Sequence, residues 1–99
     1  MIAVYVHGLR SDLEEEKIRK IEDSLADTVA NIPGIDTKKV KCCLVPGMRK
    51  VRQGEENILI ETSNIPGWLF GRKDEISSSL KSTLRKILPD AFFIECIIR

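Results

Sequence analysis

Histidine occurs once in this 99-residue chain, and its three cysteines include the adjacent pair Cys42-Cys43 but no C-x-x-C spacing. Neighbours on a strand point to opposite faces, so these residues form no recognisable zinc site, and they read as small core residues. The same count builds no disulfide framework, which points to reduced thiols and a cytoplasmic location. Neither G-x-G-x-x-G nor a Walker pattern is present, so no phosphate-cradling loop and no cofactor is expected. A Ser-His-Asp or Cys-His unit has only His7 to build on, without a nucleophile motif beside it; His7 reads as a strand-end side chain facing solvent or an interface. No apolar run approaches the roughly 20 residues of a membrane span. Arg10 to Glu16 interrupts any signal-peptide core. A net charge of +1 creates no field that would gather nucleic acid or an anionic membrane.

What is present is an ordinary globular composition, 42% apolar and 31% charged, in a length suited to one domain spanning residues 1–99. Ile2, Val4 and Val6 alternate with Ala3, Tyr5 and His7, the period of a half-buried strand that ends at Gly8. Ser11 stands three residues before Glu14, a capping-box spacing for a helix start. Ile18, Ile21, Leu25, Val29 and Ile32 then form one apolar stripe, with Glu15–Arg19 and Glu16–Lys20 pairs outside it and Pro33-Gly34 as the stop. Val40 to Val45 and Ile58 to Thr62 read as strands, separated by a polar loop from Pro46 to Glu56. A second helix carries Ile76, Leu80, Leu84 and Ile87 and stops at Pro89-Asp90. Ala91 to Ile98 is apolar at nearly every position, which predicts a central strand buried on both faces.

The order βαββαβ defines an α+β two-layer sandwich made of two similar βαβ units, residues 1–46 and 57–99. Arg10-Ser-Asp12 and Arg72-Lys-Asp74, each opening a helix, hint at the repeat. Two helices cover only one face of four strands, leaving Cys43, Val45, Phe93 and Ile97 on the other; an apolar face of that size predicts a homo-oligomer. Base-stacking RNA modules share this order, but the third strand has no aromatic residue, and the basic loop residues Arg49, Lys50 and Arg52 read as solvated.

The opening stretch MIAVYVHGLRSDLEEEK, the long helix after it and VKCCLVP resemble the first βαβ unit of the tautomerase superfamily, the group of 4-oxalocrotonate tautomerase and macrophage migration inhibitory factor. NILIETS, LFGRKDEISSSLKSTLRKIL and the last strand resemble the second unit of its longer members, so the likeness covers nearly the whole chain. The resemblance implies a tautomerase/MIF-like fold, a trimer packed sheet against sheet, and a pocket at the start of the first strand. There an N-terminal proline would act as general base and cationic side chains would hold a small carboxylate. On this chain the cations fall at Arg10 and Lys41. Position 2 is Ile2, not proline, and so bulky a residue retains the initiator, which leaves the primary α-amino group of Met1 as the catalytic candidate. The resemblance therefore implies a superfamily member with degenerate or altered proline chemistry that binds small carboxylates. The contrasting reading is a ferredoxin-like small-ligand or protein-binding module without catalytic activity, with Trp68-Leu69-Phe70 as its contact surface.

Overall fold

A computed structural model describes residues 1–45 and 50–99. Arg49 of the basic loop and Pro46, the end of the first predicted unit, lie outside the described residues. The elements are β1 (Ile2–His7), α1 (Glu15–Ala30), β2 (Val40–Leu44), β3 (Asn57–Ser63), α2 (Lys73–Ile87) and β4 (Phe93–Ile97). They form one sheet in the order β2-β1-β3-β4. β2 runs parallel to β1, and β4 runs parallel to β3; β1 and β3 are antiparallel at the centre.

The alternation read in β1 is the alternation observed. Ile2, Val4 and Val6 are buried under the helices, as are Ile58, Ile60 and Thr62 of β3. The apolar stripes of α1 (Ile21, Leu25, Val29) and α2 (Ile76, Leu80, Leu84, Ile87) close over them. Burial of each such side chain contributes about 1.5–3 kcal/mol. Across the helix pair, the Thr28 and Thr83 hydroxyls lie 3.1 Å apart, and each also lies 2.8 Å from a carbonyl of its own helix, that of Ser24 or Ser79.

Three expectations are corrected. β4 is an edge strand, not a central one, since it pairs only with β3. Its apolar residues serve two different surfaces: Ile94 and Cys96 turn toward the helices, while Phe93 and Ile97 occupy the open face with Glu95 between them. The Ser11–Glu14 capping box does not form. α1 begins at Glu15 with Glu14 as its cap residue and no side-chain cap hydrogen bond, because Leu9 and Leu13 both enter the core and spend the intervening residues as a turn. Cys43 is exposed on the open face, opposite Tyr5, instead of sitting in the core; Cys42 faces α1 as a partly buried residue.

The internal repeat is real but is carried by other residues than the Arg-x-Asp pair. Ile2 stands opposite Val40 as Ile58 stands opposite Ile94. Each inner strand ends in a residue of positive φ, Gly8 (φ 85) and Asn64 (φ 63). A buried residue follows each, Leu9 or Ile65, and then a second, Leu13 or Leu69. Arg10 thus corresponds to Pro66, not to Arg72.

Opposite the helices, β1 presents Ala3, Tyr5 and His7, and β3 presents Leu59 and Glu61. His7 Nε2 lies 2.9 Å from Glu61 Oε1, and Arg99 Nε lies 3.6 Å from Glu61 Oε2. Among the described residues no helix covers this side, where Phe93 is 52% exposed.

Gly8 is the tightest point of the chain path. A Cβ there would lie 2.1 Å from the carbonyl oxygen of Asn57, and its φ belongs to the left-handed region. Gly8→Ala should therefore lower the melting temperature by about 10 °C or more, whereas Gly71→Ala, in open space, should shift it by less than about 4 °C. Thermal unfolding followed by circular dichroism checks both.

Candidate functional site

One group of polar side chains open to solvent gathers where β1 begins. After α1, the N–H groups of Ile32 and Ile35 donate to Val29 and Ile32, turning the chain at Gly34 (φ 90). Trp68 packs over that glycine; a Cβ there would lie 2.9 Å from the indole Cη2. Asp36 Oδ1 then accepts the N–H of Lys38 at 3.0 Å, and the Asp36 carbonyl accepts that of Lys39 at 2.9 Å. The resulting single turn delivers Lys39 directly ahead of β2. From the other half of the molecule, Asn64 Nδ2 donates to the Met1 carbonyl at 3.0 Å and ties the end of β3 to the start of β1.

These segments enclose a pocket of about 260 Å³ bounded by Met1, Ile35, Asp36, Lys39, Asn64 and Trp68. Met1 is 67% exposed and Trp68 61% exposed, so both stand on the rim. The pocket is lined by the Lys39 and Asp36 side chains, the Asn64 amide and the Trp68 indole, with Met1 and Ile35 beside them.

Within the chain, the structure does not bring the predicted site residues together. Lys41 lies at the Met1 end of the sheet, opposite Ala3, but projects exposed on the open face. Arg10 lies beyond the other end of β1, a six-residue strand about 20 Å long. Its side chain is 14% exposed, with Nε 3.1 Å from Glu56 Oε1 and 3.4 Å from Asp12 Oδ1. Sequence reasoning missed Lys39, Asp36 and Asn64. Lys38-Lys39 before a strand was visible, but nothing in it tells which lysine the turn delivers to the rim. Trp68-Leu69-Phe70 divides: Leu69 is buried, while Trp68 and Phe70 are exposed.

A smaller cleft of about 50 Å³ between α1 and α2 has its charges already paired. There Arg72 donates to both oxygens of Glu75 at 3.0 and 3.1 Å, and this holds the Glu75 carboxyl below its ordinary range. Among the described residues, no group of three or more His, Cys, Asp or Glu is placed to hold a metal ion, and no helix is long and apolar enough to cross a membrane.

This two-layer βαββαβ arrangement is the fold of the MIF-like and 4-oxalocrotonate tautomerase (4-OT) proteins. The chain is similar in structure to a macrophage migration inhibitory factor-like protein from Entamoeba histolytica, at 16% identity and a TM-score of 0.76, over 98% of this chain and 85% of that one. Pt0534 inactivated by 2-oxo-3-pentynoate superposes at 15% identity and a TM-score of 0.72, over 98% and 85%. A wild-type fused 4-OT, a symmetric trimer, superposes at 15% identity and a TM-score of 0.69, over 98% and 83%. No family model and no curated protein matches the chain. At this identity the likenesses establish the fold.

The Cys42 thiol faces α1 and is partly buried. Burial first, and then the charges of Glu22, Cys43 and Asp23, push its pKa from 9.0 up to about 12. Between pH 9 and 12 an unfolded Cys42 has lost the proton that the folded one keeps, so the folded state loses stability as pH rises through that window. Urea unfolding at pH 8 and pH 10.5 should show a steeper loss for the wild type than for Cys42→Val. Equal losses would show that Cys42 is not the titrating group.

Proposed function

We propose that this protein is a tautomerase-superfamily member whose N-terminal chemistry departs from the proline-based form, and that the pocket at the start of β1 binds a small, planar carboxylate. The reading is supported by the convergence of Met1, Lys39 and Trp68 on one pocket of about 260 Å³, at the strand end where the superfamily resemblance expects a site. In this reading Lys39 holds the carboxylate and, should the ligand be a keto acid, stabilises the negative charge that develops on its oxygen. Trp68 supplies the stacking surface. The Met1 α-amine is primary, not the secondary amine of proline, and is the group that would move a proton or attack a carbonyl. Lys41 stands near the same end and is the second candidate cation.

The open sheet face supports a homo-oligomer. Tyr5, Leu59, Phe93 and Ile97 lie on the side that no helix covers, and a fused 4-OT with the same fold is a symmetric trimer. We propose a trimer assembled through this face. Light scattering should report three times the chain mass, and a monomer at micromolar concentration would overturn the assembly.

Trp68 is the one tryptophan of the chain, so its fluorescence reports on the pocket directly. Titration with phenylpyruvate or benzoate should quench it, and Lys39→Ala should weaken the apparent Kd about tenfold, the effect of losing one charge-assisted contact. An unchanged Kd would remove Lys39 from the site. Replacing Ile2 with Pro, so that the initiator is removed and proline leads the chain, should create enol–keto activity toward an arylpyruvate; a folded trimer without activity would show that the pocket no longer supports that reaction.

A further inference from the structure

The internal repeat gives the Met1 pocket a counterpart at the other end of the sheet. Ile2 corresponds to Ile58, so the position of Met1 is taken in the second half by Asn57, with Glu56 next before it. Pro66 and Trp68 correspond to Arg10 and Asp12, on the pattern of Gly8 with Asn64 and Leu13 with Leu69. The segment that follows α2, which includes Leu88, Asp90 and Ala91, takes the place of the segment that follows α1. A cleft is found there, lined by Arg10, Lys17, Gln53, Glu56, Asp90 and Ala91, but its volume is only about 30 Å³ against about 260 Å³ for the Met1 pocket.

A carboxylate already fills it. Glu56 is 4% exposed, and its two oxygens accept the N–H of Gly54 at 3.2 and 3.3 Å. Arg10 Nε lies 3.1 Å from Oε1, yet its N–H is not directed at that oxygen and has no hydrogen-bond acceptor. A buried carboxylate of this kind needs a cation beside it, and a buried guanidinium N–H needs an acceptor. The chain's own carboxylate meets the first need and only part of the second. Gln53 Nε2 donates to Asp90 Oδ2 at 2.8 Å and closes the outer edge.

We infer that the Arg10–Glu56 pair is a second carboxylate site that the chain occupies itself, with Glu56 standing where a free carboxylate ligand would stand. Arg10 is therefore committed within its own protomer, which separates it from the Met1 pocket, and the cleft becomes a site for a two-carbon acid when Glu56 is shortened. Glu56→Ala removes the atoms of one acetate ion and leaves Arg10 facing the vacated space. The inference concerns the opposite end of the sheet from the Met1 pocket, and it stands or falls independently of what that pocket binds.

The test is thermal unfolding of Glu56→Ala in sodium acetate and in sodium chloride at matched ionic strength. Wild type in the same two buffers corrects for salt and for any acetate taken up at the Met1 end. Loss of one partner of the buried pair should lower the melting temperature by about 10 °C or more. Acetate should restore at least half of that loss and chloride none of it, and the acetate response should vanish in Arg10→Ala/Glu56→Ala. If Glu56→Ala does not fold in chloride, acetate should return its far-ultraviolet circular dichroism. Equal effects of acetate and chloride, no effect of either, or an acetate response that survives the loss of Arg10 would each overturn the inference.

Discussion

The antiparallel pairing of β1 with β3 is the contact on which the other elements depend, because it places the two most apolar strand faces side by side under the helices. Ile2, Val4 and Val6 adjoin Ile58, Ile60 and Thr62 in register, and a shift of one residue in either strand would turn the whole set toward the open face. Each inner strand then recruits a parallel outer strand through its own helix, β2 through α1 and β4 through α2. Parallel neighbours require such a crossover, and both helices pass on the same side of the sheet. One face is thereby closed and the other left open, which is why the assembly question and the fold are a single physical matter in this protein.

That architecture also explains why the polar groups concentrate at two sheet ends. At each end the start of an inner strand meets the segment following a helix and the turn that leaves the other inner strand. Three backbone segments converging at one point leave space among them that side chains must fill or a ligand can enter. At the Met1 end they leave an open pocket rimmed by Lys39 and Trp68. At the Glu56 end a buried ion pair and a Gln53–Asp90 hydrogen bond fill the space. The same fold thus leaves one end open and the other filled.

Legibility differed by kind of residue. The period-two pattern of β1 and the helical stripes of Ile21-Leu25-Val29 and Ile76-Leu80-Leu84 are local consequences of burial on one face, and they appear where the pattern places them. The last strand misled because Phe93 and Ile97 on its outward face are as apolar as Ile94 and Cys96 on its inward face, and Glu95 alone between them marks the side away from the helices. Ser11-x-x-Glu14 misled because core insertion of Leu13 outweighs a cap, a contribution of about 1 kcal/mol. Arg10 resembled a site cation in its motif, yet its partner is Glu56, 46 positions away in the chain.

The sequence by itself determined the element order, the faces of β1 and the helices, the repeat of two βαβ units and the excess of apolar surface over what two helices can cover. Each follows from short-range spacing and from a count of apolar residues. Tertiary structure alone decided which strand lies at the edge, which lysine reaches the Met1 pocket, and that Arg10 spends its charge on Glu56. Those outcomes rest on contacts between residues tens of positions apart, where strand register and turn geometry, not local pattern, set which groups meet.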